Sequence, residues 1–285
     1  MSKTTKLVIL AGSPRGGIKT WKSIYKNLVD ENTDLAICTG DSLQNNFTLK
    51  KNISYWWIFK EYENWDKYYI ENNYEEALNF LKKGLDTGLY SSGKIHFAIK
   101  DIILKNYIET IKSYDYIYYL RFDQFIISKP NANNYKGLTI PEGEDYFGIC
   151  DRFIGFERKY AHNFFNILDF VNKNPELSVK HLNCETVFLE HLKYEKINNE
   201  VVRTPRVQFT TALNSDKTNW RIPIYRLHGY RNLMIKYPDE FLLTCSNYLQ
   251  KKGFKSFIKD YVILCLNFYY LLLREYLGKL KRTID

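Results

Sequence analysis

The sequence lacks a Cys-x-x-Cys pair, an internal repeat, a low-complexity tract, a recognisable linker and a long unbroken apolar run. Each absence excludes something. The five cysteines (Cys38, Cys150, Cys184, Cys245, Cys265) are odd in number and scattered, so neither a zinc ribbon nor a disulfide framework is expected. They suit a reduced, cytoplasmic compartment, where a buried thiol serves as a small hydrophobe. A bilayer-spanning helix needs about twenty apolar residues. The most apolar stretch, Tyr261 to Leu273, is shorter and is interrupted by Asn267, so a span is not expected. Met1 to Lys6 is polar and leads directly into an apolar strand, with no secretory segment ahead of it.

What is present is an ordinary globular composition, 45% hydrophobic and 26% charged over 285 residues, which excludes disorder and fibrous repeats. A chain of this size buries about three quarters of its unfolded surface, so a core forms without metal or disulfide help. The net charge of +9 is unevenly spread: the last forty residues hold eight Lys or Arg against three acids. No domain-wide basic face with interleaved aromatics accompanies it, so specific nucleic-acid binding is not expected.

Leu7 to Leu10 is wholly apolar and runs into Gly12-Ser13-Pro14, the pattern of a buried strand meeting a turn. Trp21, Ile24, Tyr25 and Leu28 follow at helical spacing, and Leu35 to Cys38 reads as a second buried strand. Strand, helix, strand in this short space is a βαβ unit, hence an α/β fold with a mostly parallel sheet. Further strands are expected at Tyr116 to Leu120, Tyr146 to Ile149, Val201-Val202 and Val207 to Thr210. Helices are expected across 60–112 with a break from Gly84 to Gly93, at 157–172 and at Cys184 to Leu192. The aromatic group of Trp56, Trp57, Trp65 and nearby tyrosines reads as a core cluster. The expected organisation is one α/β domain over residues 1–240 and a basic, apolar helical extension over 241–285.

Open parallel sheets bind ligands beyond the carboxyl ends of their strands. After the first strand come Gly12, Ser13, Arg15, Gly16 and Gly17. Asp41 follows the second strand, Arg121 and Asp123 the third, and Asp151 and Arg152 the fourth. The glycine turn falls short of a P-loop because Ile18 separates Gly17 from Lys19, which turns the lysine away from a phosphate clasped by the backbone. The same stretch also looks like the phosphosulfate loop of sulfotransferases, with Arg121 and Ser128 as a second phosphate element. That is the second reading. In Arg121-Phe122-Asp123 the guanidinium suits phosphate and the carboxylate suits a divalent metal, and alternation points both the same way.

Taken together, these segments resemble small GT-A-type nucleotide-sugar glycosyltransferases of bacterial surface-polysaccharide loci, large DNA viruses and plants. The resemblance runs from about residue 7 to 215. It rests on Leu10 to Arg15 with Thr20 and Ser23-Ile24, on Tyr114-Asp115-Tyr116 through Asp123, on Ile140 to Asp145 with Phe147 to Phe153, and on Leu182-Asn183-Cys184-Glu185. It implies a Rossmann-like GT-A fold and transfer of a sugar from a nucleoside diphosphate to a hydroxyl of a glycan or other acceptor. It also implies that Gly12, Ser13, Arg15, Asp41, Arg121, Asp123, Asp145 and Arg152 face the donor. A Mn²⁺ or Mg²⁺ would sit on Asp123 and His228, although Arg121 stands where the first Asp of an Asp-x-Asp motif would be. Asp151, or else Glu185, is then expected as the general base. A non-catalytic nucleotide-sugar-binding protein is the remaining alternative. Tyr261 to Leu273, flanked by Lys251, Lys252, Lys255, Lys279, Lys281 and Arg282, is expected to pack on the domain or a second subunit, or to touch a membrane surface.

Overall fold

The computed structural model describes residues 5–49, 53–85, 93–130, 136–178, 183–213, 215, 225–230 and 232–284, with the side chains of 83–85, 178 and 278–284 excepted. Most of the expected Gly84–Gly93 break, His181, Leu182 and the side chains of Lys279, Lys281 and Arg282 lie outside the described residues.

The chain runs β1 (Lys6–Ala11), α1 (Gly17–Leu28), β2 (Thr33–Gly40), β3 (Tyr55–Phe59), α2 (Asp66–Glu71), α3 (Glu75–Leu85), α4 (Gly93–Lys112) and β4 (Tyr116–Arg121). It continues through β5 (Gln124–Ile126), β6 (Leu138–Pro141), β7 (Phe153–Glu157), α5 (Ala161–Phe165), α6 (Ile167–Lys173), α7 (Pro175–Ser178) and α8 (Cys184–Tyr194). It ends with β8 (Val201–Thr204), β9 (Gln208–Leu213), β10 (Tyr225–Arg226), β11 (Leu233–Ile235) and α9 (Pro238–Ile284). Seven strands form the main sheet in the order β3-β2-β1-β4-β7-β6-β8, and a smaller sheet has the order β10-β11-β9-β5. In the main sheet β7 alone runs against its neighbours.

Alternation explains why β1 is apolar throughout. Leu7 and Ile9 enter the core under α3 to α6 and α8, while Val8 and Leu10 enter the core under α1 with Trp21, Ile24 and Leu28. A third core lies between the smaller sheet and α9, where Phe125 and Phe209 meet Phe241, Cys245, Phe257 and Leu264. The expected division at 240/241 therefore falls in the first turn of α9, whose Phe241 and Cys245 are fully buried with the strands.

The α/β class and the mostly parallel sheet are as expected. Two strands differ. Tyr146 to Ile149 is a loop, with Glu144, Tyr146 and Phe147 in the left-handed region and Phe147 almost fully exposed. The strand comes later, as β7, and takes Glu157 from the expected helix, which itself divides into α5 and α6. The aromatic run Tyr55–Phe59 is β3, paired in parallel with β2 at the sheet edge.

Candidate functional site at the strand ends

Register places the pieces side by side. Ala11, the last residue of β1, is opposite both Cys38 and Arg121, and Leu120 is opposite Phe153. Because β7 is antiparallel, its start lies where β4 ends, and Arg121 N–H donates to the Arg152 carbonyl at 3.2 Å. Asp151 and Arg152 thus reach the expected edge by preceding a strand, not by following one.

The glycine turn is built for close approach. Gly12, Gly16 and Gly17 all have left-handed φ, at 101, 83 and 72°. A Cβ on Gly16 would stand 3.0 Å from the Asp123 Cα and 3.2 Å from the Phe122 carbonyl. Trp21 Nε1 donates to the Arg15 carbonyl at 2.8 Å and fixes the turn to α1. That helix starts with neither a side-chain cap nor an acid in its first turn, so its amide dipoles open toward this edge. Gly16→Ala is expected to cost more than about 1–2 kcal/mol, because left-handed strain adds to a contact with unyielding backbone. A thermal unfolding midpoint equal to wild type would show that this packing is not needed.

Arg121 and Asp123 do point the same way, and they hold each other. Nε donates to Oδ1 at 3.1 Å and Nη2 pairs with Oδ2, a bidentate contact. Burial pushes the Asp123 carboxyl upward, but Arg121 and then Lys236 outweigh it and hold it below the usual range. Asp151 is also held low: burial is overcome by Lys100, fully buried on α4, and then by His96 one turn earlier. Phe188 and Phe164 place their rings 4.8 and 4.9 Å from the Lys100 ammonium. His96 is pushed down to about 4 by burial and by Arg121, so it is neutral at physiological pH. Glu185 goes the other way. Burial raises it, Asp151 adds to the rise, and the opposing pull of Arg152 leaves it above the ordinary glutamate value.

Glu185 owes its place to the loop before β7. Asn183 caps α8, accepting from the Thr186 N–H at 2.9 Å and donating to the Tyr146 carbonyl at 2.8 Å. Ile149 N–H donates to the Glu185 carbonyl at 3.0 Å. At Gly148 any Cβ would lie 2.1 Å from Glu185 backbone, so the loop closes on the helix only with glycine there. The two candidate bases, Asp151 and Glu185, are thereby clamped together with opposite proton affinities.

Lys236, which the sequence reading does not single out, belongs to the same group. Burial and the neighbouring charges of Arg121, Arg152 and Arg15 push its ammonium down to about 7, against the pull of Asp123. Arg152 is 5% exposed, stacks 4.4 Å from the Tyr237 ring centroid and lies 2.8 Å from Glu240. Arg206 reaches the same Glu240 oxygen at 3.2 Å. Neither guanidinium is aligned for a directed hydrogen bond to that oxygen, so this buried attraction is chiefly coulombic. Arg15, Arg121, Asp151, Glu185, Lys236 and Tyr237 are half-buried, leaving them within reach of a ligand.

The other expected residues lie at the margin or have other duties. Ser13 is exposed on the turn. Asp41 directly follows β2 at the same edge, where its Oδ1 accepts from the Ser42 and Glu61 N–H groups at 2.8 and 3.0 Å. Asp145 accepts from Arg203 at 2.9 Å and from the Cys150 N–H at 3.2 Å, and so braces the loop. His228 is exposed and exchanges two 2.8 Å hydrogen bonds with Asn267 through its backbone, with its ring set against Tyr270. Among the described residues no three His, Cys, Asp or Glu side chains gather as a metal set, and both Asp123 oxygens are engaged by Arg121. As arranged, Asp123 offers a cation no oxygen that Arg121 does not already hold.

A cavity of about 500 Å³ lies elsewhere, on the α1 side of the sheet, lined by Tyr116, Tyr118, Ser128, Phe153 and residues of α9 including Tyr248. Ser128, the second phosphate element of the sulfotransferase reading, lines this cavity. No protein-family model matches this chain, and no curated protein matches it.

Proposed function

We propose that the protein is a GT-A-like glycosyltransferase that moves a sugar from a nucleoside-diphosphate sugar to a hydroxyl acceptor. One observation carries this reading: Arg15, Arg121 and Arg152 all lie within coulombic reach of Lys236 at the strand ends, beside a carboxylate of raised proton affinity. Cations so concentrated are repelled by one another and are relieved by a polyanion. A diphosphate also matches the open amides of α1, and Arg121, whose Nε and Nη2 hold Asp123, adds its positive charge at the same edge.

In this reading Glu185 accepts the proton of the acceptor hydroxyl, whose oxygen bonds to the anomeric carbon. The glycosidic bond to the diphosphate breaks, and its electron pair leaves with the nucleotide. Charge grows on the leaving diphosphate in the transition state, where Arg121, Arg15 and Lys236 stabilise it. Asp151 is the weaker candidate for the base, because Lys100 holds it ionised and of low basicity. It serves instead to keep Lys100 buried. No step is assigned to Mn²⁺ or Mg²⁺.

A thermal-shift screen in EDTA tests the reading. Nucleoside diphosphates are expected to raise the unfolding midpoint, and the matching nucleotide sugar to be consumed when acceptor is present. A shift with adenosine 3′,5′-bisphosphate alone would favour sulfotransfer, and binding with no turnover would leave a binding protein.

The pH dependence has a defined sign. Glu185 acts ionised, so kcat/KM rises through a pKa above the ordinary glutamate value of 4.5. Lys236 acts protonated, so kcat/KM falls through about 7. Saturating donor is expected to move the falling limb of kcat upward, since bound diphosphate favours the ammonium form. A profile flat from weakly acidic to weakly alkaline pH would remove both assignments.

A further inference from the structure

The C-terminal helix has two apolar sides and only one of them meets protein. Phe257, Leu264, Phe268 and Leu271 are buried against the smaller sheet. On the outward side Ile258, Val262, Leu266, Tyr269, Leu273 and Leu277 recur every three to four residues and are 40–67% exposed. A stripe of this kind loses free energy in water with every side chain, and isolated chains seldom carry one so long without a partner.

The helix is long and apolar enough to cross a membrane by length and composition, with a mean hydropathy of 1.4 in its best window. Its surroundings argue for lying flat instead. The backbone breaks from helical geometry at Gly253 and Tyr261. Asn267, inside the apolar stretch, exchanges hydrogen bonds with the His228 backbone, and Leu271 beyond it is still buried in the core. Crossing the bilayer would strip those contacts, whereas lying in the interface leaves them intact.

Charge selects the partner. Exposed Lys251, Lys252 and Lys255 precede the stripe and Lys259 follows its first residue; Arg274 lies toward its end, and the sequence continues with Lys279, Lys281 and Arg282. Of the two described acids in this stretch, Asp260 accepts a hydrogen bond from Tyr248 Oη at 2.6 Å and Glu275 stands beside Arg274 in sequence. A second copy laid on the stripe in either direction would bring one basic end against another. An anionic lipid surface meets both ends with opposite charge and takes up the apolar side chains between them. We propose that α9 is an in-plane anchor that holds the protein on an anionic membrane surface.

Flotation of the full chain with vesicles tests this. Binding to phosphatidylcholine vesicles containing phosphatidylglycerol is expected, with much weaker binding to phosphatidylcholine alone and release by high salt. Leu266→Glu with Leu273→Glu is expected to lower the partition coefficient at least about tenfold without moving the unfolding midpoint. Lys251→Glu with Lys255→Glu leaves the apolar stripe intact and is expected to do the same. No flotation with anionic vesicles would overturn the proposal. So would equal binding to neutral vesicles, or a solution dimer that the leucine variant dissociates.

Discussion

Glu185→Gln is expected to lower the transfer rate by about 10²–10⁴-fold while nucleotide binding and the unfolding midpoint stay close to wild type. The glutamine keeps the shape but cannot take the hydroxyl proton. The contacts of Glu185 with the loop before β7 run through its backbone, so the substitution leaves them in place. Asp151→Asn is the informative comparison. Asp151 is the ion-pair partner of a fully buried Lys100, so its loss is expected to appear first as lowered stability. Kinetics in parallel with thermal melts separate the two. If Glu185→Gln turns over normally and Asp151→Asn does not, the base is Asp151 and Glu185 has no part in proton transfer.

The largest effect on stability is expected from Glu240→Ala. Glu240 is fully buried and faces both Arg152, at 5% exposure, and Arg206, at 1%. Its other oxygen accepts from the Thr210 N–H at 2.8 Å. Alanine leaves two buried guanidinium groups without their shared counter-charge and one amide without its acceptor. Breaking a buried pair by removing one partner costs about 3–5 kcal/mol. Urea unfolding followed by tryptophan fluorescence gives the number; a loss under about 1 kcal/mol would mean that water or backbone carbonyls replace the carboxylate. Arg206 already donates to the Glu142 and Gly143 carbonyls, so Arg152 is the group left most exposed to the loss.

The parallel part of the sheet is legible because β1, β2 and β4 are built on the apolar runs Leu7–Leu10, Leu35–Cys38 and Tyr116–Leu120, as buried parallel strands require. Those three strands, with the rule that ligands sit at their carboxyl ends, predict Arg15, Arg121 and Asp123 at one edge; in the structure Arg121 pairs with Asp123, and all three act on Lys236. Asp151 and Arg152 were assigned to the right edge for the wrong reason. Tyr146 to Ile149 has the composition of a short strand, but two of its residues adopt left-handed φ, which no apolar pattern reveals. β3 was hidden because Tyr55–Phe59 alternates nothing and invites an aromatic-cluster reading. His96 and Lys100 leave only a weak signal: two basic residues one turn apart in α4, which also carries Lys94, Asp101, Lys105 and Glu109. Lys236 and Glu240 left none, since the smaller sheet and α9 reach the site only through tertiary packing.

That packing has a consequence for how the protein is made. β5 pairs with β9, and both contribute phenylalanines to a core closed by Phe257, Leu264 and Leu271. A growing polypeptide therefore presents Phe125 and Phe209 well before the residues that shield them are translated. Maturation of this half of the molecule waits for the synthesis of α9, and until then its unfinished surface stays open to chaperones.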